Sequence, residues 1–188
     1  MEPNVKLGVG VRVWGQAQIR AGCIIGDHVI IGRNVYLGPG VEIGSNSKIQ
    51  NSANLYEPAK IASGVFIGPG VIFSNDRFPR AINTDNSQKV GEDWEMTGVK
   101  VEFGASIGAG AICVAPLQIG SWAMVGAGSV VTRDVPDFAL VIGQPAQRVK
   151  WVGKLGFPLK EISPMHFQCP KDGSVYQQVG ENELIPLS

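Results

Sequence analysis

Asn75 and Asp76 set an amide beside a carboxylate at the start of a polar, aromatic stretch of the chain. Such a pair can orient a polar group and accept a proton, provided that a rigid element holds it still. It can equally form an Asx-type cap, in which a side-chain oxygen accepts a nearby backbone N–H. A second polar group precedes it: Gln50-Asn51, Asn54 and Tyr56-Glu57-Pro58. The histidines, His28 and His166, are distant from both groups in sequence, and Cys23, Cys113 and Cys169 have no metal-ligand spacing.

The element that must hold these groups is a six-residue ladder. Leu7, Val13, Ile19, Ile25, Ile31, Leu37, Ile43, Ile49, Leu55, Ile61 and Ile67 lead to Phe73, and Val101, Ile107, Cys113, Ile119, Val125 and Val131 resume the pattern. Small or β-branched residues follow four places later, as at Val11, Ala17, Cys23 and Val29. A period of six keeps no face of a helix apolar; hexapeptide periods belong to parallel β-solenoids. Each hexad makes one short strand and one turn, and three hexads close a coil. The 18 hexads therefore predict about six coils, with Cys23 and Cys113 pointing inward.

Phe73 and Val101 lie 28 residues apart where an unbroken ladder gives six, so 22 residues are inserted after the fourth coil. A protruding loop over 74–98 is expected, and Phe78 and Trp94 predict that it packs on something, such as an adjacent subunit. Residues 18 apart stack on neighbouring coils, which sets Glu57 beneath Asn75. The polar ledge and the loop thereby converge on one candidate site.

Composition sets the outer limits. The 188 residues carry no net charge, which favours neither nucleic acid nor an anionic membrane as partner. No run is long and apolar enough to span a bilayer, and Met1-Glu2-Pro3-Asn4 lacks the basic and apolar regions of a signal peptide. Reduced thiols and a cytoplasmic location are the expectation.

The ladder resembles the hexapeptide-repeat acyltransferases, and the resemblance implies an all-β, single-stranded left-handed parallel β-helix. The run Val125-Gly126-Ala127-Gly128-Ser129-Val130-Val131-Thr132-Arg133-Asp134-Val135-Pro136, followed by Gly143-Gln144-Pro145-Ala146, is similar to the terminal signature of members that use coenzyme A. A narrower likeness runs through Lys48-Ile49-Gln50-Asn51, Leu55-Tyr56-Glu57, Phe66-Ile67-Gly68-Pro69, Phe73-Ser74-Asn75-Asp76 and Pro79-Arg80-Ala81. It is to nucleotide-sugar N-acetyltransferases that act on UDP- or dTDP-linked 3-amino sugars.

That likeness implies acetyl-CoA as co-substrate, a nucleotide-sugar acceptor, no metal, and a homotrimer with sites between subunits. It assigns Asn75 to the sugar amine, and Gln50, Asn51, Tyr56, Glu57 and Arg80 to the sugar-nucleotide side. Ala109, Ala127, Thr132, Arg133 and Lys150 would touch the cofactor, with Arg148 replacing an arginine found one residue earlier in other members. Arg133, Arg148 and Lys150 suit the phosphates of coenzyme A. Asp76 or Glu57 would steady the ammonium or take its proton, and a main-chain N–H near Ala109 would bind the oxyanion. Many members carry a catalytic histidine in the protruding loop. An ungapped alignment from the Ile67 coil puts Phe78 at that position, which favours an amine over a hydroxyl as acceptor. The alternatives are transfer to another small amine or hydroxyl, such as serine or an antibiotic, and a non-enzymatic solenoid scaffold. An ice-binding array would need regular threonines, and only Thr84, Thr97 and Thr132 occur.

The domain reading is a solenoid over 1–152 and an appendage over 153–188. Beyond Trp151 the hexads stop, and Pro158, Pro164 and Cys169-Pro170-Lys171-Asp172-Gly173 punctuate the appendage, which reads as a short β-hairpin. Its expected role is to cover the strand edges left open by the last coil.

Overall fold

The computed structural model describes residues 2–187. Two- and three-residue strands recur at each hexad and stack into three parallel faces. The first face holds Lys6–Leu7, Ile24–Ile25, Glu42–Ile43, Lys60–Ile61, Val99–Val101 and Leu117–Ile119. The second begins Arg12–Val13, Ile30–Ile31, Lys48–Ile49, Phe66–Ile67, Ser106–Ile107 and Met124–Val125. The third holds Gln18–Ile19, Tyr36–Leu37, Asn54–Leu55, Ile72–Phe73, Ile112–Cys113 and Val130–Val131. The chain is an all-β parallel solenoid, and among its described residues no helix is long and apolar enough to cross a membrane.

Paired residues are 18 apart, as in Leu7↔Ile25 and Ile31↔Ile49. Across the insertion the spacing becomes 40, in Ile61↔Val101 and Phe73↔Cys113 alike. The 22 extra residues therefore leave and re-enter without slipping the register, and the coils on either side form one continuous frame. Register is held because a one-residue slip would turn every inward aliphatic toward water.

The stack runs past the six coils expected. Val135 bridges Ile119, and Ala139–Gly143 pairs parallel with Met124–Val125, now at a spacing of 16, in Val125↔Val141. Ala146–Trp151 folds back antiparallel and brings the second face to eight strands. A turn shortened by two residues ends the strict period but not the solenoid.

Ladder residues from Ile19 to Val131 are buried, Cys23 and Cys113 among them. Burial pushes the Cys113 thiol up to about 12. Leu7 and Val13 depart from the pattern: among the described residues no strand pairs beneath them, and each is about two-fifths exposed (43% and 40%). Ser47 is a buried polar side chain on the inner track. Its hydroxyl donates to the Ala62 carbonyl at 3.1 Å and accepts the Val65 N–H at 3.2 Å, so the hydrogen-bonding capacity it brings into the core is used.

The appendage is larger than a hairpin. Lys160–Ser163, His166–Gln168, Val175–Gly180 and Glu183–Leu187 form a four-stranded antiparallel sheet. Tyr176 and Cys169 are buried in it, and the Tyr176 ring meets Phe138 of the solenoid edge-on at 5.5 Å. The Tyr176 hydroxyl accepts the Lys154 N–H at 3.1 Å, and Trp151 Nε1 donates to Gln178 at 3.0 Å.

Candidate functional site

Each turn from the third face to the first places one residue two positions past a paired core residue. Those residues are Pro39, Glu57, Asn75, Ala115 and Arg133, stacked in a column by the pairs Leu37↔Leu55, Leu55↔Phe73, Phe73↔Cys113 and Cys113↔Val131. Strands in a sheet lie about 4.8 Å apart, which is the rise from Glu57 to Asn75 along this corner. Tyr56 stands on the same ledge, its ring 5.1 Å from Tyr36 one coil below.

The insertion starts and ends against this column. Thr97 N–H donates to the Asn75 carbonyl at 3.0 Å, and Ala115 N–H donates to Ser74 Oγ at 3.0 Å. Asn75 is half-buried, and its side-chain amide makes no hydrogen bond among the described residues. Asp76 differs. Its Oδ1 accepts the Phe78 N–H at 2.8 Å, so the Asx-type cap describes Asp76 and not Asn75.

The loop has internal order. Ile82 and Gln88 form an antiparallel bridge, and the Asp93 carboxylate accepts the Val90 N–H at 2.8 Å and the Asn83 amide at 3.1 Å. These donors, Val90 first, hold the Asp93 carboxyl below the usual carboxylate range. A cleft of about 340 Å³ opens under the loop, lined by Asp76, Phe78, Lys89, Trp94, Thr97 and Pro116 among others. Phe78 is 77% exposed. Arg80 stays outside the cleft, its guanidinium turned to the Pro79 carbonyl at 3.0 Å. His28 sits on a turn of the second coil with φ of 58°, and His166 Nδ1 lies 3.0 Å from the Pro164 carbonyl in the appendage.

The remaining candidates occupy other places. Gln50, Asn51, Ala109 and Ala127 lie at the turns from the second face to the third, a different corner from Asn75. There the Asn51 side chain accepts the Arg33 N–H at 2.9 Å, and Trp14, Arg33, Gln50 and Asn51 border a cleft of about 430 Å³. Ala109 is exposed, and its N–H meets no acceptor among the described residues. One chain therefore does not bring the Asn51–Ala109–Ala127 corner to the Glu57–Asn75 corner.

At the far end of the column Arg133 and Arg148 do converge, around a cleft of about 290 Å³ completed by Glu181 and Asn182 of the appendage. Arg148 lies 4.1 Å over the Trp151 ring and donates to the Glu181 carbonyl at 2.8 Å. Thr132 is exposed one residue before Arg133, whereas Lys150 lies outside the cleft. Glu181 and Asn182 carry no sequence signal, since only the folding-back of the appendage brings them here. Among the described residues no group of three His, Cys, Asp or Glu side chains is placed to hold a metal ion.

Residues 2–39 and 22–55 match the family model described as bacterial transferase hexapeptide (six repeats), and residues 98–133 match the hexapeptide repeat of succinyl-transferase. This is a hexapeptide-repeat chain. The chain is 48% identical over 85 residues to a dTDP-3-amino-3,6-dideoxy-alpha-D-galactopyranose 3-N-acetyltransferase of Aneurinibacillus thermoaerophilus. That alignment covers 42% of this chain and 44% of the relative, so the match spans under half of either protein. Two solved structures share the fold. A hexapeptide-repeat acetyltransferase of Vibrio cholerae, complexed with acetyl coenzyme A, gives a TM-score of 0.50 at 24% identity, over 65% of this chain and 70% of its own. A maltose O-acetyltransferase of Clostridium difficile gives 0.51 at 19% identity, over 81% and 69%.

Proposed function

We propose that this chain is an acetyl-CoA-dependent N-acetyltransferase whose acceptor is the amino group of a UDP- or dTDP-linked amino sugar. The observation that carries the reading is Asn75, an uncommitted amide fixed by its backbone at the interruption of a rigid ladder. The 48%-identical relative, named for acetylating a dTDP-linked 3-amino sugar, supports the same acceptor class. Phe78 stands at the loop position where many members of the resembled family carry histidine.

A neutral amine is already a good nucleophile, so orientation and oxyanion binding do most of what is required. Asn75 holds the amine against the thioester carbonyl. Glu57 or Asp76 steadies or accepts the ammonium proton, and the departing thiolate takes it at the end. The Ala109 N–H is the oxyanion donor, and because it lies at another corner, it comes from a neighbouring subunit of a homotrimer. Gln50, Asn51, Tyr56 and Arg80 border the nucleotide sugar, while Ala127, Thr132, Arg133, Arg148 and Lys150 border coenzyme A. Arg133 and Arg148 fit phosphate as paired guanidinium groups on one cleft.

The test is a panel of UDP- and dTDP-amino sugars with acetyl-CoA, read by thiol release. Turnover of at least one amino-sugar nucleotide is expected. Release with serine or aminoglycosides alone would replace this reading by the small-acceptor alternative.

A further inference from the structure

Four corner side chains of this solenoid share one arrangement, which Ser63 over Gly44 does not complete with a hydrogen bond among the described residues. Asp27, Ser45, Asn51 and Asp137 each lie over a glycine of the coil beneath: Gly8, Gly26, Gly32 and Gly120 respectively. Each accepts the backbone N–H of the residue after that glycine. The distances are 2.7 Å from Val9 to Asp27, 3.0 Å from Asp27 to Ser45, 2.9 Å from Arg33 to Asn51 and 2.7 Å from Ser121 to Asp137.

Glu57 takes the same posture over Gly38, where an added Cβ would run into Oε2 of the carboxylate. The residue after Gly38 is Pro39, which has no N–H. Oε2 of Glu57 is accordingly buried without a hydrogen bond among the described residues. Leaving a buried acceptor unpaired costs stability, so the fold gains nothing in hydrogen bonding from proline here.

We propose that Pro39 is a positioning residue. It withholds the corner hydrogen bond, so that Glu57 is the group that takes the proton when an amine held by Asn75 is acylated. This rests on the amine-acetylation reading above. With no N–H at position 39, Oε2 of Glu57 keeps its lone pairs unengaged and open to a proton from the amine. Asp76 already spends one oxygen on the Phe78 N–H. In the step, the amine nitrogen bonds to the thioester carbonyl carbon, the C–S bond breaks, and coenzyme A leaves as thiolate. The proton on nitrogen passes to Glu57 and from there to the thiolate, which restores the carboxylate.

Pro39→Ala tests this, because Val9, Asp27, Arg33 and Ser121 show that the equivalent position at the solenoid's other corners accepts a residue with an N–H. The new amide at position 39 should exchange with solvent at least about tenfold more slowly in P39A than in P39A/E57A. In P39A kcat should fall by about tenfold, with KM for both substrates within about twofold and no loss of melting temperature. In a Glu57→Gln background the same change should cost nothing further, since the two residues act through one group. An unprotected amide, an unchanged kcat in P39A, or an equal loss in both backgrounds would overturn the proposal. These results leave the acetylation reading standing. Absence of any turnover of amino-sugar nucleotides by the parent chain removes that reading and this one together.

Discussion

The Thr97 N–H and hydroxyl donate to the Asn75 carbonyl at 3.0 Å and 3.4 Å, and these bonds join the last residues of the insertion to its first. The Asn75 backbone is thus fixed from both sides, by the coil before it and by the returning loop. Its side chain contributes no hydrogen bond to that arrangement. Function and stability can therefore be separated at this residue. Asn75→Ala should lower kcat by roughly tens to thousands of fold, the range associated with lost orientation of a reacting group. The thermal transition should stay near that of the parent. Steady-state kinetics beside a melting curve checks both parts, and a large drop in melting temperature would assign Asn75 to the scaffold instead.

Loop order should depend on pH through Asp93. The Val90 N–H and the Asn83 amide hold its carboxyl below its ordinary value of 3.8. A group with a depressed folded value stabilises above its unfolded value, and that contribution is lost as pH falls through the folded one. The loop should therefore loosen only below about pH 4, read as faster exchange of the Val90 amide. Asp93→Ala should show the loosened loop at neutral pH, with the coils intact.

Cys113 makes the opposite dependence at the alkaline end. Burial raises its thiol from 9.0 to about 12, so the folded chain keeps a proton that the unfolded chain gives up. That contribution is full below pH 9 and shrinks as pH climbs toward 12. Cys113→Ala should flatten the fall in stability over this window, measured by denaturant unfolding at several pH values. All three thiols are buried, so a thiol reagent should modify them only upon unfolding.

Arg133 and Arg148 share a cleft but not a structural role. Arg148 stacks on Trp151 and reaches the Glu181 carbonyl, contacts worth about 1–3 kcal/mol together. Arg148→Ala should loosen the appendage and raise KM for acetyl-CoA. Arg133→Ala should raise that KM alone, with the melting temperature unchanged. Identical thermal effects from both would contradict the division.

Much of the scaffold was legible because a solenoid writes its core one residue per hexad, and Ile19 through Val131 follow that writing. Its ends were not. Leu7 and Val13 keep the period yet remain exposed, since burial requires a coil beneath them that the period itself does not supply. Val135 and Val141 lost the period when one turn shortened by two residues, although they continue the stack. Glu57 beneath Asn75 followed from the spacing of 18, and so did the column through both. The use of each polar group did not, because Asp76, Asn51 and Arg148 are engaged by partners that spacing cannot name: a turn amide, the coil below and the folded-back appendage.

In the proposed reaction nitrogen, not oxygen, is acylated. The direct measurement offers the chain a matched pair of nucleotide sugars that differ only in carrying an amino or a hydroxyl group at the acceptor carbon, with acetyl-CoA, and follows product by mass and NMR. The expected product is an amide from the amino sugar, with no ester from its hydroxyl counterpart above the uncatalysed rate. Comparable turnover of the hydroxyl sugar, with an ester product, would contradict it.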